Sequence, residues 1–263
     1  LNLSQDGTFN PRDIFGSHDD SDHVYNTPRA WYMARCLNPS TMNWDGPDAD
    51  FTPLSDDIPW CMVPEKKVTI EDVKYVLSSH FQGTPYDPYA SYGDKSMKGA
   101  YRAIGVNRTD FLGIIQMRPD AEEDSRAIEW VAFASNVFNT AAPFYTDVEK
   151  VPEYFSNTTG DASTDNFYWA SRMIAAMADA SYSKSIFHIE RYQERVMSKG
   201  HEYINQYDEL LAKESNAEKR MQLRQEANEK IADMVKKETQ DTLNKVLYEL
   251  SNQMKNAYSR SDA

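Results

Sequence analysis

Proline and glycine are confined almost entirely to the first 160 residues of this sequence. The last of the 12 prolines is Pro152, and Gly200 is the only glycine after Gly160. Because both residue types interrupt helices, the end of the chain can form long continuous helices, whereas the first part must contain many turns. This distribution predicts a first part that combines turns with short helices and strands, followed by an almost wholly helical end.

Acidic residues follow the same division of the chain. Residues 1–183 contain 14 Lys and Arg against 27 Asp and Glu, whereas residues 184–263 contain 14 of each class. This excess of acid argues against non-specific nucleic-acid binding. No apolar run approaches the roughly 20 residues of a membrane span. The two cysteines offer no disulfide framework, which favours a cytoplasmic protein. The acidity and the lack of a long apolar run predict no nucleic-acid partner and no membrane partner.

The helices of the first part can be placed from their caps. Thr27 is typical of an N-cap, with Pro28 at the first helical position. Thr69 and Asp72 form a capping-box pattern that opens a second helix. Residues 38–67, between the two helices, contain five prolines and are expected to be irregular.

Three segments rich in β-branched and aromatic residues are predicted as strands, at 104–109, 111–117 and 128–135. The third alternates apolar and polar residues, as a half-buried antiparallel strand does. Antiparallel strands with helices beside them indicate an α+β layered fold.

The end of the chain is predicted to be helical. Residues 166–180 carry apolar side chains at helical spacing, and two longer apolar stripes follow. A turn-and-cap pattern at Ser215 and Asn216 separates those two stripes. Because a short connection makes two helices antiparallel neighbours, we predict a helical hairpin over residues 184–263, after a domain of residues 1–183.

Few residues form a recognisable catalytic pattern. His18 and His23, in an acidic loop, could ligate a divalent metal, but a solvated loop is the simpler interpretation, so neither a metal nor a cofactor is predicted. Cys36 and Cys61 are the only thiols. Both are expected to pack rather than react, because a nucleophilic cysteine needs a lowered pKa and a positioned base.

Three arginines are candidate binding residues. Arg29 lies at the start of the first predicted helix, and Arg102 and Arg108 flank the first predicted strand. A guanidinium can clamp a carboxylate or stabilise a thiolate, while a structural ion pair is the alternative for each arginine.

Several segments, in order along the chain, resemble the bacterial dipeptidase A family. These enzymes are N-terminal-nucleophile (Ntn) cysteine peptidases, related to penicillin V acylase and bile salt hydrolase. The resemblance spans most of residues 10–185. The matching segments are YNTPRAWY (25–32), LNP (37–39), VTIEDVKYVLSSH (68–80), GTPYDP (83–88), YRAI (101–104), RT (108–109), WVAFASNVFNT (130–140) and PFY (143–145).

The resemblance implies a dipeptidase with an Ntn αββα sandwich, in which the cysteine at the mature N-terminus is the nucleophile. No such cysteine lies near Leu1, so the chain looks like the C-terminal portion of the family, inactive without an upstream segment that bears the cysteine. Related acylases place an arginine beside the nucleophile, and Arg29 is the match by placement. Arg172 is a rival match, and an ion pair is expected for it.

The resemblance also suggests substrate contacts. Arg102 or Arg108 could hold the free carboxylate of a dipeptide, and Asn136 and Asn139, at a strand exit, could bond the substrate backbone. The expected partners are dipeptide substrates, the missing Cys-bearing segment and further copies in a homo-oligomer. The alternative function is a non-catalytic interaction or oligomerisation module built on the C-terminal helices.

Overall fold

The computed structural model describes residues 15–16 and 19–257. The chain forms two compact units. Unit 1 comprises Leu1–Val68 and His80–Ile104, and unit 2 comprises Thr69–Ser79 and Gly105–Ala263, each as far as it is described. His18, which was considered as a metal ligand, lies outside the described residues.

The described part of unit 1 contains helices and a long irregular segment. Helix α1 spans Asp22–Tyr25 and helix α2 spans Thr27–Leu37. Residues 38–67 contain neither helix nor strand, as their prolines predict. The core of this unit is aromatic, and hydrogen bonds from aromatic side chains to loop carbonyls tie the irregular segment to it. Its fully enclosed members are Trp31, Tyr32, Trp44 and Phe81.

The indole hydrogen bonds show how an irregular segment is held without secondary structure. Trp31 Nε1 donates to the carbonyl of Phe51, and Trp44 Nε1 donates to the carbonyl of Asn38. A buried indole N–H needs such a partner, and so does a carbonyl that no helix or strand satisfies.

Unit 2 is built on a three-stranded antiparallel sheet in the order β1-β2-β3. Strand β1 spans Phe111–Met117, β2 spans Ala127–Phe133 and β3 spans Ala142–Tyr145, and a 3₁₀ turn at Glu123–Ser125 lies between the first two. The alternation predicted for β2 is confirmed, because every second residue is buried. The α+β prediction is confirmed at this level.

The described part of unit 2 also contains five helices. They are α3 (Ile70–Leu77), α4 (Glu153–Ser156), α5 (Phe167–Ala180), α6 (Tyr182–Leu211) and α7 (Ala217–Ser251). Ile128, Trp130 and Ala132 of β2 are buried in one core with residues of α5, α6 and α7. Residues on both sides of position 183 share that core, and the domain boundary predicted there stays a prediction. Among the described helices, none combines the length and apolar character of a transmembrane span.

Helices α6 and α7 pack along each other over most of their length. Tyr192 Oη lies 2.7 Å from Thr239 Oγ1, and Tyr207 Oη donates to a carboxylate oxygen of Glu226 at 3.0 Å. Positions early in α6 therefore meet positions late in α7, so the two helices run in opposite directions. Asn216 caps α7 by accepting a hydrogen bond from the Lys219 N–H.

Two local predictions were wrong. Helix α2 begins at Thr27, so Asn26 occupies the N-cap position predicted for Thr27. The strand predicted at 104–109 is absent, because this segment forms turns and packs closely on residues 78–79. A Cβ on Gly105 would lie 2.6 Å from the carbonyl oxygen of Ser78, and this approach leaves no room for a neighbouring strand.

Candidate functional site

The loop that follows β2 is rich in polar residues and yet buried. Residues 134–140, which we call the Asn136 loop, are all buried although four of them are polar. Loops normally run over the surface because a buried loop must find partners for its backbone polar groups. Three side chains donate hydrogen bonds to the carbonyls of this loop and of the adjoining Phe133: Lys74, Asn139 and Gln193.

The loop begins with a strained residue. Ala134 has a φ of 65°, in the left-handed region that is costly for residues with a side chain. Asn139 Nδ2 stabilises this turn by donating to the carbonyls of Phe133 (2.7 Å) and Ala134 (3.1 Å). Strained backbone that its surroundings hold in place is often found at binding and catalytic sites.

These bonds determine which way the amide of Asn139 points. Its nitrogen also lies 3.3 Å from Asn136 Oδ1, so all three neighbours of that atom are oxygens. The other end of the amide, Oδ1, is buried and has no hydrogen-bond partner among the described residues, and the same holds for the hydroxyl of Thr140. A buried acceptor without a donor is costly and calls for an explanation.

Asn136 differs from Asn139 because its side chain is fully used inside the loop. Its Nδ2 donates to the carbonyl of Leu77 at 3.3 Å, while its Oδ1 accepts from Asn139. The backbone carbonyl of Asn136 accepts a hydrogen bond from Lys74 Nζ at 2.8 Å. Of the two predicted asparagines, Asn139 alone therefore has a side-chain atom without a hydrogen-bond partner among the described residues.

Arg29 and Arg102 lie together in unit 1. Arg29 Nε donates to the backbone carbonyl of Arg102 at 3.1 Å, and the guanidinium of Arg102 stacks 5.4 Å from the ring centre of Tyr25. Arg29 makes no ion pair with any carboxylate that the structure describes. Partial burial lowers the pKa of its guanidinium, which still stays protonated. Arg29 thus presents a half-buried positive charge that no described acid neutralises.

The other arginines occupy different settings. Arg108, in unit 2, is exposed and makes no side-chain hydrogen bond or ion pair within the described part of the chain. Arg172 pairs with Asp110 at 3.0 Å and stacks on Tyr168, so the ion pair expected for it is confirmed. The structure thus brings Arg29 next to Arg102, and Asn136 next to Asn139.

The thiols and the described part of the acidic loop occupy different settings. Burial raises the pKa of the Cys36 thiol, which disfavours the reactive thiolate. Cys61 is exposed, so the packing expected for it is wrong. His23 bonds to Asp56 at 2.9 Å, and this hydrogen bond raises the pKa of the imidazole. No cluster of His, Cys, Asp and Glu among residues 15–16 and 19–257 has the arrangement of a metal site.

Sequence reasoning missed Lys74 and Gln193, which support the loop. Lys74 did give a signal. It lies four residues after Ile70 and three before Leu77, on the helix face that the apolar side chains occupy. A lysine on an apolar face is unusual enough to single out. Gln193 carries no such signal, because a glutamine on a long helix is ordinary.

Comparison with known proteins gives a consistent result. The model of peptidase family C69 matches residues 1–195. A dipeptidase of Bifidobacterium longum (strain NCC 2705) is 45% identical over all of this chain and 56% of its own length. A probable dipeptidase A of Streptococcus pyogenes serotype M18 (strain MGAS8232) is 46% identical over 97% of this chain and 51% of its own length. The dipeptidase A of Lactobacillus helveticus is 32% identical, again over half of its own length (50%). The chain thus spans about half the length of the curated relatives it matches.

Proposed function

Because the chain belongs to peptidase family C69, we propose that the protein containing it is a dipeptidase with an N-terminal cysteine nucleophile. The single observation that carries the site is the buried, unpartnered Oδ1 of Asn139, in a loop stabilised by side chains. We propose that the nucleophile belongs to a segment outside this chain; in support, burial raises the pKa of the Cys36 thiol, which disfavours the thiolate. The chain alone is therefore expected to be inactive.

The proposed fold of the whole protein is an αββα sandwich, to which this chain contributes one sheet and its covering helices. The support is the sheet face opposite helices α6 and α7. Phe111, Ile115 and Met117 of β1 are 54%, 69% and 60% exposed, and the same face borders a cavity of about 270 Å³. An apolar face of this extent on an edge strand is typical of a surface that another element covers. Helices α6 and α7 would form the C-terminal hairpin.

In the proposed reaction, the cysteine thiolate attacks the carbonyl of the peptide bond. The α-amine of the same cysteine accepts the thiol proton and passes it to the departing amino acid, since an α-amine titrates near pH ~8. Water then hydrolyses the thioester, which releases the other amino acid and restores the thiol. Arg29 is the proposed neighbour of the thiolate, because its uncompensated charge would lower the thiol pKa.

The two ends of a dipeptide need different partners. Its ammonium group is a donor, and Asn139 Oδ1 is the acceptor that we propose for it, since that atom is buried and unpaired. Its carboxylate needs a cation, for which Arg102 and Arg108 are the candidates. Asn136 serves this site by orienting Asn139, because its own amide is engaged within the loop.

The activity can be tested with the whole protein and this chain side by side. We expect the whole protein to release amino acids from dipeptides, and to stop doing so after its N-terminal cysteine is alkylated. The chain of 263 residues should show no hydrolysis. Hydrolysis by the chain alone would overturn the external nucleophile, and an inert whole protein would overturn the dipeptidase.

The role of Asn139 has its own test in the substrate. A dipeptide and its des-amino analogue, in which hydrogen replaces the amine, are compared in wild type and Asn139→Ala. Loss of a hydrogen bond to a charged group costs about 1.5–3 kcal/mol, so wild type should favour the dipeptide by about tenfold or more. This preference should largely disappear in Asn139→Ala. An equal preference in both proteins would exclude Asn139 as the acceptor.

A second candidate function is self-association through the C-terminal helices. Among the described residues of α6, α7 and the segment after them, four large apolar side chains are more than half exposed: Phe187, Leu247, Tyr248 and Met254. A homo-oligomer that covers them is compatible with the dipeptidase and would make the enzyme an assembly. Light scattering of the protein and of a Leu247→Glu variant would decide it, since a monomer in both cases rules it out.

A further inference from the structure

Lys74 is the one lysine that the structure encloses among the described residues. It lies on α3, and only 4% of it is exposed. Its ammonium donates to Ser78 Oγ at 2.6 Å and to the backbone carbonyl of Asn136 at 2.8 Å. No ion pair joins it to an acid within residues 15–16 and 19–257, so the charge is met by neutral acceptors alone.

Such a placement is not explained by stability. Burying an ammonium without a carboxylate is expensive, and desolvation lowers the pKa of Lys74 to about 7. An apolar side chain of similar length would fill the same space without that cost. What an apolar side chain cannot supply is the hydrogen bond to the Asn136 loop.

Two bonds join α3 to Asn136 and thereby hold the residue at two points. Lys74 holds its backbone carbonyl, and the carbonyl of Leu77 accepts from its side-chain amide. The helix is itself secured, because Thr69 and Asp72 close a capping box at its start and Glu71 pairs with His201 of α6. The loop is thus anchored on an element that has little freedom to move.

The orientation of Asn139 depends on that anchor. Asn136 Oδ1 accepts from Asn139 Nδ2, so a rotation of Asn136 would release one of the three bonds that direct the Asn139 amide. On the opposite side, Gln193 of α6 donates to the carbonyls of Val137 and Asn139. Lys74 and Gln193 therefore clamp the same loop from two helices.

Resting on the proposed function, we infer that Lys74 is a positioning residue: it anchors the Asn136 loop through the Asn136 carbonyl and so keeps Asn139 Oδ1 directed at the substrate. It does not touch the substrate itself. The role explains why a costly buried amine stands on the apolar face of α3.

The experiment uses the whole protein with Lys74→Met, which keeps the length of the side chain and removes the donor. Ser78→Ala is the matched control, because it removes the other acceptor of Lys74 and leaves the bond to Asn136 intact. Lys184→Met controls for loss of charge at an exposed helix position. For each variant we would measure the Tm, kcat and KM for a dipeptide, and the preference for the dipeptide over its des-amino analogue.

We expect Lys74→Met to keep or raise the Tm while kcat/KM falls by about tenfold or more and the preference for the amine shrinks. Both controls should retain that preference. A Lys74→Met protein with unchanged kinetics and an unchanged preference would overturn the inference, as would a loss of activity that a falling Tm fully accounts for. If Lys74→Met does not fold, Lys74→Gln retains a shorter donor and is expected to show an intermediate preference. A Lys74→Gln protein whose residues 134–140 exchange faster than in wild type, but whose preference equals that of wild type, would then overturn the inference.

A second readout separates this inference from the proposed function. Hydrogen exchange of residues 134–140 should accelerate in Lys74→Met and remain slow in Ser78→Ala, whatever the reaction is. If the wild-type protein splits no dipeptide but this difference is seen, the dipeptidase proposal fails and the anchor stands. If exchange is equally slow in all the variants, the anchor fails even in an active enzyme.

Discussion

At the scale of single residues, the enclosed amine of Lys74 should make the stability of unit 2 depend on pH in an unusual direction. Its folded pKa is about 7, well below its ordinary value, and both of its hydrogen-bond partners are uncharged. Above about pH 7 the folded chain has released the proton while the unfolded chain still holds it, so stability rises with pH up to the ordinary pKa near 10.

We therefore expect the free energy of unfolding of wild type to gain on that of Lys74→Met between about pH 7 and about pH 10. Urea titrations of both proteins across this range measure the difference, and the other titrating groups cancel because both proteins share them. A difference that stays constant with pH would show that Lys74 keeps its ordinary pKa in the folded state.

Arg29 permits a second residue-scale prediction, in which Arg172 is the control. If the Arg29 charge lies beside the nucleophile in the whole enzyme, Arg29→Met should raise the thiol pKa and move the acidic limb of the kcat/KM profile to higher pH. Arg172→Met removes an exposed pair with Asp110 and should leave that limb in place. If the acidic limb shifts in Arg172→Met but not in Arg29→Met, Arg172 is the neighbour of the nucleophile and Arg29 is not.

At the scale of elements, the sequence predicted structure best where a local signal acts alone. Thr69 and Asp72 form the capping box that their spacing predicts, and the helix predicted over residues 166–180 spans Phe167–Ala180. The strand prediction at 104–109 was wrong because amino-acid composition carries no information about the close approach of Gly105 to Ser78. Strand β3 was not predicted at all, since a four-residue strand containing Pro143 has almost no local signal.

Gly200 links an element-scale feature of the sequence to a packing contact. It is the single glycine of α6, and a Cβ there would lie 2.6 Å from Cδ of Pro143 in β3. Gly200→Ala should gain about 1 kcal/mol of helix propensity. It should lose more to the clash with the rigid proline ring, since overpacking costs about 1–3 kcal/mol. We expect a net fall in Tm, whereas Gly160→Ala, with no atom near its Cβ, should leave the Tm unchanged.

Calorimetry of the two variants tests this contact. A Gly200→Ala protein as stable as wild type would mean that α6 shifts away from β3 without penalty. Such a result would also weaken the explanation of why a glycine persists in an otherwise glycine-free helical end.

At the scale of the whole molecule, the sequence could select candidate residues but could not show which of their atoms are already used within the fold. Asn136 and Asn139 were selected as one pair, but the amide of one turned out to be used inside the loop and that of the other left an open acceptor. That distinction depends on the hydrogen bond from Asn136 Nδ2 to the carbonyl of Leu77, which is distant in sequence. No pattern within residues 134–140 could have revealed it.

The open face of the sheet provides a prediction about the rest of the protein. Ile115 lies directly opposite Glu129 in the register of β1 and β2 and is 69% exposed in this chain. In the chain alone, Ile115→Lys places an ammonium in water beside a carboxylate, a cross-strand pair worth about 0.2–1 kcal/mol in favour of folding. In the whole protein, a second sheet over this face would bury the same ammonium at a cost of several kcal/mol.

The substitution should therefore have opposite signs in the two settings: a Tm that is equal or higher for the chain, and clearly lower for the whole protein. Ile115→Val, which keeps the position apolar, should change the Tm little in either. Thermal unfolding of the three sequences in both settings measures this. If nothing covers the face, Ile115 is equally exposed in both settings. An equal change in Tm on Ile115→Lys in the chain and in the whole protein would therefore refute the layered sandwich. It would leave the chemistry proposed for the Asn136 loop untouched.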